Sequence, residues 1–442
     1  MVSRPMFRIA LAASAVLLTG LVTGVASAQQ PDLPVMWRVP ASAAGVQALA
    51  KAGFDVAETD SGAGVAYVVG DQAVAGKLRT LGYQPTVFDA IYKEAPGARP
   101  NAVEADTFYG GYRTPAAHEA HLSQVVANHP DLATKYDIGQ SWKKTKGQGG
   151  HDIFAICLTK KQAGDCTMST TSPKPKFFLM AQIHARELST GELAWRWIDY
   201  LADGYATDAT AKSILDTTEV WVVPIANPDG VDIVASGGNS PKLQRKNADN
   251  SRGGCTGTNI GIDLNRNSTF KWGGDSTAPC SETYQGPTAG SEPEVTALEN
   301  LFRAIYPDQR GPGNNDPAPT TARGVMITLH SYGNDIIIPW GFTQATAPND
   351  AQYRKLGAKM AASNGYLVGT NEETVGYDTT GTTDDYTYGT FGVFSVTFEV
   401  GGSSGTCGGF LPKYTCVDST FWPKNKGAFI TAAKAAAAPY VQ

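Results

Sequence analysis

The sequence predicts an α/β protein with a mixed, mostly parallel twisted sheet flanked by helices, preceded by a small α+β ferredoxin-like unit. Short apolar runs bounded by turns recur between residues 176 and 400, with helical segments between them. Before them, strand and helix patterns follow the order strand-helix-strand-strand-helix-strand. With 442 residues, of which 42% are hydrophobic and 17% charged, the chain can form one large and one small globular domain.

The N-terminus has the order of a secretory signal. Arg4 and Arg8 precede an apolar stretch, residues 9–25, and the small residues Ala26-Ser27-Ala28 follow. We expect cleavage after Ala28, which makes residues 1–28 a signal peptide and the protein secreted, with no membrane contact afterwards. The alternative is an uncleaved membrane anchor, which the small-residue site disfavours.

Residues 29–92 are predicted to form the small domain. Its strands and helices are expected in this order: Met36–Val39, Ser42–Lys51, Phe54–Glu58, Val65–Val69, Gln72–Leu81 and Tyr83–Phe88. Residues 93–106 are rich in turn formers and poor in large apolar residues, which is typical of an exposed, protease-sensitive linker.

Residues 107–442 are predicted to form the large α/β domain. We expect its buried strands at Lys176–His184, Val220–Ile225, Gly324–His330 and Phe394–Val400, and helices at Pro115–Asn128 and Ser189–Leu201. Asp308–Ala322 is predicted to be a surface loop. Six cysteines in an exported chain indicate disulfides, and pairing of nearest neighbours is the simplest arrangement.

Three predicted strands end in side chains that can bind a metal or move a proton: His184, His330 and Glu399. The carboxyl ends of parallel strands meet at one sheet edge, where sites form. Glu187, three residues after His184, can reach the same ion. Two imidazoles and one carboxylate are a catalytic zinc set, although a histidine at a strand end can also be an ordinary hydrogen-bonded residue.

Two other observations limit the possible functions. His118 and His121 look like a metal motif, but their spacing is not that of HExxH, so we predict a solvated helix face. The net charge is −5 and no basic block stands out, so nothing suggests nucleic acid as a partner.

Several segments, in order along the chain, resemble the pancreatic-type zinc carboxypeptidases. They are Ile183–Glu187, Asn227–Gly230, Gln244–Asn247, Gly261–Asn267, Cys280–Gly286, Leu329–Tyr332 and Thr397–Glu399. The resemblance covers residues from about 107 to the C-terminus and implies the carboxypeptidase-like α/β/α fold. It also implies that the small domain is a pro-segment that blocks the cleft until it is cut.

The resemblance implies a role for each catalytic residue. His184, Glu187 and His330 would bind one Zn²⁺, and Asp263 would accept a hydrogen bond from a ligand histidine. Glu399 would be the general base, and Arg245 would face the developing oxyanion.

The resemblance also implies how substrate is bound. Asn265 and Arg266 would bind the free α-carboxylate of a substrate, because a guanidinium forms a bidentate fork. Arg186 would add positive charge along the cleft, and Tyr377, 22 residues before Glu399, would close over substrate, although it could instead be exposed surface. Tyr332, which would follow a cis peptide bond, and Phe410 are also expected to contact substrate.

The resemblance implies that substrate preference depends on Asp384, because ungapped spacing to Glu399 places it at the family position that forms the floor of the side-chain pocket. A buried carboxylate there attracts a cation, so the sequence predicts basic, or mixed basic and hydrophobic, C-terminal residues. Alternatively, Asp384 or its neighbour Asp385 only caps a turn, and Asp385 fits that role better.

The sequence therefore predicts a secreted, monomeric carboxypeptidase zymogen that acts on peptides and proteins with a free C-terminus and needs an activating protease. The family shares one disulfide, Cys255–Cys280, whereas Cys157–Cys166 and Cys407–Cys416 are inferred from proximity. Two other functions remain possible: a peptidase of γ-D-glutamyl-diaminopimelate links, and a catalytically inactive binding module.

Overall fold

The small N-terminal unit contains two helices on a four-stranded antiparallel sheet. The computed structural model describes residues 33–60, 62–93 and 106–442, so the predicted signal peptide and nearly all of the predicted linker lie outside the described residues. The elements are β1 Val35–Pro40, α1 Ala43–Lys51, β2 Asp55–Asp60, β3 Val65–Gly70, α2 Gln72–Thr80 and β4 Thr86–Ala90. Their sheet order, β2-β3-β1-β4, is that of the ferredoxin-like unit expected from the sequence.

Local sequence sets the helix starts in this unit. The side chains of Ser42 and Asp71 accept hydrogen bonds from Gly45 N and Val74 N, which caps α1 and α2 at their first turns. The apolar faces of both helices then pack on one side of the sheet, around Trp37.

The large unit is built on an eight-stranded mixed sheet. Its strands are β7 Ala133–Gln140, β8 Asp152–Leu158, β9 Lys176–Met180, β10 Glu219–Val223, β11 Val325–His330, β12 Asp335–Ile337, β13 Leu367–Gly369 and β14 Phe394–Glu399. The order is β13-β12-β14-β11-β9-β10-β8-β7. The central pairs β10–β9, β9–β11 and β11–β14 are parallel, while β7, β8 and the β12–β14 pair are antiparallel. A two-stranded ribbon, β5 Thr107–Phe108 and β6 Tyr112–Arg113, precedes the sheet.

Helices cover both faces of this sheet. They are α3 Pro115–Asn128, α4 Trp142–Thr145, α5 Leu188–Ala202, α6 Ala209–Thr217, α7 Pro228–Ala235, α8 Pro293–Ile305, α9 Asp350–Asn364, α10 Thr383–Phe391 and α11 Trp422–Ala435. Alternate residues of β9 enter different cores: Phe177 and Leu179 pack with α5, whereas Phe178 and Met180 pack with α8. Burial on both faces explains why the strand is a continuous apolar run.

The disulfides and a cis peptide bond agree with the sequence predictions. All three predicted disulfides are formed: Cys157–Cys166, Cys255–Cys280 and Cys407–Cys416. The Ser331–Tyr332 peptide bond is cis, and so is Pro339–Trp340. Among the residues that the structure describes, no helix is long and apolar enough to span a membrane.

Candidate metal centre

The loop after β9 carries the first two metal-ligand candidates. The predicted strand does not reach His184: β9 ends at Met180, and Gln182 adopts a left-handed φ of 48°. The loop packs against α5 at Gly191, where a Cβ would lie 2.3 Å from the Gln182 Oε1 atom, so a larger residue there would have to displace the Gln182 side chain. Asn227, the N-cap residue of α7, donates from Nδ2 to the Ile183 carbonyl and fixes the loop from the other side.

Glu187 and His330 complete the set at one edge of the sheet. Glu187 is the residue immediately before α5, and its side chain does not cap that helix. His330 is the last residue of β11 and pairs in register with Glu399, the last residue of β14. The carboxyl ends of these parallel strands therefore meet, as the sequence predicts.

The three candidate ligands converge on one point. His184 Nδ1 lies 2.8 Å from Glu187 Oε1 and 3.0 Å from His330 Nδ1, and His330 Nδ1 lies 3.2 Å from Glu187 Oε2. All three side chains are buried. In the part of the chain that the structure describes, no other group of three or more His, Cys, Asp or Glu residues is close enough to hold an ion.

This arrangement fits a zinc ion. Ligand atoms about 2.0–2.1 Å from a tetrahedral ion are about 3.3 Å apart, close to the separations found here. Burial alone would raise the pKa of Glu187, but the adjacent His184 and His330 outweigh it and hold that pKa low. A carboxylate that stays ionised beside two imidazoles is a suitable donor set for a divalent cation.

Asp263 connects the metal-ligand candidates to Arg245. Its Oδ1 atom lies 3.1 Å from His184 Nε2, and its Oδ2 accepts a hydrogen bond from Arg245 Nε at 2.9 Å and lies 2.9 Å from Nη2 in the same ion pair. Burial opposes ionisation, but Arg245 and His184 more than offset it and keep the pKa of Asp263 well below its ordinary value. A second partner of this kind fixes the tautomer and orientation of a ligand histidine.

A cleft opens over the metal-ligand candidates. Its lining brings together most of the residues singled out in the sequence: His184, Glu187, His330, Arg245, Asn265, Arg266, Tyr377, Asp384, Glu399 and Phe410. Within it, burial and the nearby charges of Glu187 and Asp335 raise the pKa of Glu399 well above its ordinary value. Such a carboxylate can act as a base.

Arg266 and Asn265 lie on a short 3₁₀ turn in this cleft. Arg266 donates from Nε to Asp275 and from Nη1 to the Asn265 carbonyl, while Asn265 Oδ1 accepts from Thr383 N. Arg266 is therefore held by Asp275 and the Asn265 carbonyl, and Asn265 by the first residue of α10.

Asp384 and Asp385, adjacent in the first turn of α10, have different surroundings. Asp385 accepts from Gly341 N and Phe342 N, so it binds backbone. Asp384 faces the cleft and accepts from Thr397 Oγ1 at 3.1 Å.

Arg186 and Tyr332 lie beside the cleft rather than in its lining, and both contact the N-terminal unit. Arg186 is buried, stacks on the Phe410 ring at 4.0 Å and pairs with Asp55 of β2. Tyr332 donates from its hydroxyl to the sulfur of Met36. Sequence reasoning did not identify Asp55, nor Val56 and Ala57, which line the cleft from above.

The prediction for His118 and His121 is wrong in one respect. His118 is buried, not solvated, because Trp195 of α5 packs edge-on against it and stacks on the His121 ring. His121 Nε2 lies 2.6 Å from Asp199. Neither histidine belongs to the metal centre.

Comparisons with known proteins agree on one family. The zinc carboxypeptidase family model matches residues 118–425. A zinc carboxypeptidase of Saccharothrix mutabilis subsp. capreolus is 29% identical over 318 residues, which cover 70% of this chain and 66% of that protein. Carboxypeptidase A2 of Mus musculus is 28% identical over 299 residues, which cover 66% of this chain and 63% of that protein. The match thus spans slightly less than two thirds of the length of either relative.

The fold also has a counterpart among solved structures. Carboxypeptidase A from Helicoverpa armigera superposes with a TM-score of 0.70 at 21% sequence identity, covering 92% of this chain and 98% of that one. At this identity the likeness concerns the fold.

Proposed function

The chain belongs to the zinc carboxypeptidase family, and from this membership we propose that it hydrolyses the C-terminal peptide bond of peptides and proteins. The observation that carries the proposal is one cleft in which His184, Glu187 and His330 converge and Glu399 and Arg266 line the walls. A metal site, a base and a carboxylate-binding cation are the three parts that this reaction needs.

We assign the chemistry as follows. Zinc bound by His184, Glu187 and His330 would supply Lewis acidity toward the scissile carbonyl and the attacking water. Glu399 accepts the proton of that water and returns it to the leaving amine. Arg245, held by Asp263, presents a fixed cation where the carbonyl oxygen gains charge.

Recognition of the chain end falls to Asn265, Arg266 and Tyr377. Arg266 would bind the terminal carboxylate, and its fixed contacts with Asp275 and the Asn265 carbonyl pre-position it. Tyr377 would fold over the bound substrate; here its hydroxyl donates to the Val56 carbonyl instead.

Asp384 would set the preference for the C-terminal side chain. It is buried in the cleft lining, and a carboxylate that accepts one hydrogen bond, here from Thr397, retains acceptor capacity for a substrate cation. We propose a preference for Lys or Arg, alone or together with hydrophobic residues.

We further propose that the protein is secreted as a zymogen, with a signal peptide at residues 1–28, a pro-domain at 29–92, a linker at 93–106 and a catalytic domain at 107–442. Support comes from Val56 and Ala57, which lie over the cleft, and from the Asp55–Arg186 ion pair beside it. An activating protease would cut within the linker.

The test uses the full chain, loaded with zinc and cut in the linker. It should release Lys or Arg from a blocked dipeptide, and a chelator should stop the reaction. The same peptide with an amidated C-terminus should be stable, because Arg266 then has no carboxylate to bind. Cleavage inside an amidated peptide, or of γ-D-glutamyl-diaminopimelate links alone, would refute the assignment.

A further inference from the structure

The N-terminal unit meets the rest of the molecule through two acidic side chains of β2 that have opposite surroundings. Asp55 is paired with Arg186. Glu58, three residues later, enters the same interface without a cation: within the described part of the chain, neither Glu58 nor Asp335 forms an ion pair, and Glu58 Oε2 is buried with no hydrogen-bond partner. The Asp55–Arg186 ion pair stabilises the interface at all ordinary pH values. The buried carboxylate of Glu58, in contrast, destabilises the interface when it is ionised.

The groups that face Glu58 are acidic, neutral or cations that form no ion pair with it. On its own sheet they are Asp60 of β2, Tyr67 of β3 and, on the other side of Tyr67, Arg38 of β1. Across the interface they are Tyr332 with the nearby Arg186, Asp335 of β12 and Ser403, whose nearby hydroxyl favours the ionised carboxylate. Asp335 in turn lies opposite Glu399 in the β12–β14 pair and near Tyr366. The charges that shift the pKa values of Glu58 and Asp335 are therefore those of other carboxylates.

Both carboxyl groups respond to this environment. Burial raises the pKa of Glu58 from 4.5 to about 7. The nearby Ser403 side chain opposes this increase, and the charge of Asp60 adds a smaller one. Burial and the charge of Glu58 raise the pKa of Asp335 from 3.8 to about 7. Once the N-terminal unit leaves, both groups regain water, and their pKa values return toward the ordinary range.

We propose that the buried, unpaired carboxylate of Glu58, together with the nearby Asp335, makes retention of the N-terminal unit pH-dependent: after the linker is cut, the unit stays on the cleft in mildly acidic solution and leaves as the pH rises above neutral. This inference rests on the proposed function only in that the unit is taken to block the cleft. The two carboxyl groups add to the pro-domain a second control, besides cutting of the linker.

The direction follows from proton binding. The associated form holds more protons than the separated pieces between about pH 4 and pH 7, because both pKa values are higher in the associated form. Protonation of Glu58 and Asp335 therefore contributes fully to association at pH values below the ordinary pKa values of the two carboxyl groups. This contribution is lost as the pH rises through about 7.

The experiment measures retention rather than turnover. The full chain is cut in the linker, and the fraction of the N-terminal piece that co-elutes with the large piece in size-exclusion chromatography is followed with pH at constant ionic strength. We expect the apparent dissociation constant to increase roughly tenfold or more between about pH 5.5 and pH 8. If the apparent dissociation constant does not change, or falls as the pH rises, the proposal is overturned by the unmodified protein alone.

Variants assign the pH dependence to the two carboxylates. Glu58→Gln and Asp335→Asn should each flatten the dependence and tighten retention at high pH. Asp55→Asn should weaken retention at every pH and leave the slope intact, since Asp55 has a cation as partner. Asp131→Asn, which alters an exposed carboxylate paired with Lys160, should change neither. A full slope in the Glu58→Gln, Asp335→Asn double variant would overturn the assignment.

The outcome is independent of catalysis. If retention depends on pH as described but the cut chain hydrolyses no peptide, the proposed function fails and the inference stands. If the cut chain is an active carboxypeptidase whose N-terminal piece is retained equally at all pH values, the inference fails alone.

Discussion

The carboxylate of Asp55 forms a two-point contact with the guanidinium of Arg186, with Oδ1 2.7 Å from Nη2 and Oδ2 2.6 Å from Nη1. Arg186 is adjacent in sequence to the metal-ligand candidate Glu187, and its other face lies on the Phe410 ring. The contact thus connects the N-terminal unit to the segment that carries the metal centre. Parallel charged hydrogen bonds of this geometry are among the stronger polar contacts in proteins.

The first prediction concerns this contact. Asp55→Asn removes one charge and one acceptor, and it leaves the Arg186 cation facing only Glu282, 3.6 Å away. Hydrogen bonds to charged groups contribute about 1.5–3 kcal/mol, so inhibition by the N-terminal unit should weaken roughly tenfold to a hundredfold. Peptidase activity of the cut but unseparated chain measures the change. Asp131→Asn, which changes an exposed carboxylate paired with Lys160, is the control, and equal effects of the two substitutions would contradict the role of Asp55.

The second prediction concerns zinc affinity. Asp263→Asn keeps the size of the side chain but removes the charge that orients His184, so the zinc dissociation constant should rise roughly tenfold to a hundredfold. Competition with a coloured chelator measures it, at a stoichiometry of one ion per chain. Asp275→Asn changes another acid, half-buried, that pairs with an arginine, Arg266, but does not touch a metal ligand. An equal loss of affinity in both variants would indicate general destabilisation.

The fold was predictable to the extent that its signals are local. Period-two alternation and N-caps such as Ser42 predict the order of elements in the N-terminal unit. The strands β11 and β14 end at His330 and Glu399 as expected, because a polar residue after a buried apolar run marks the sheet edge. The end of β9 was missed, because the left-handed turn at Gln182 has no glycine to signal it.

Contacts between distant segments were not predictable. The burial of His118 depends on Trp195, which reaches it from α5, and polarity along α3 alone indicates an exposed face. Likewise, nothing in the local pattern of β2 distinguishes Asp55, which pairs with Arg186, from Glu58, whose charge acts on Asp335. Such pairings follow from how two folded units dock, and a single sequence carries no periodic signal for docking.

The third prediction concerns the base. Glu399→Gln retains the shape of the side chain and all three metal-ligand candidates, so zinc content should be unchanged. It cannot accept a proton, so kcat should fall by roughly 10²–10⁴-fold. Zinc analysis and single-turnover kinetics on the same sample separate the two effects. If the variant binds zinc and still turns over at the original rate, another group is the base.

The last prediction concerns the preferred C-terminal residue. Asp384→Ala removes the buried carboxylate that faces the cleft, and a substrate cation then loses its partner in a site that water screens poorly. The ratio of kcat/KM for C-terminal Arg to that for C-terminal Phe should fall by about tenfold or more. Asp385→Asn is the matched control: it changes the adjacent carboxylate, which binds the Gly341 and Phe342 backbone, and should lower stability more than selectivity. Because the comparison is a ratio between two substrates of one enzyme, a general loss of folded protein cancels. An unchanged ratio in the Asp384 variant would show that the pocket floor lies elsewhere.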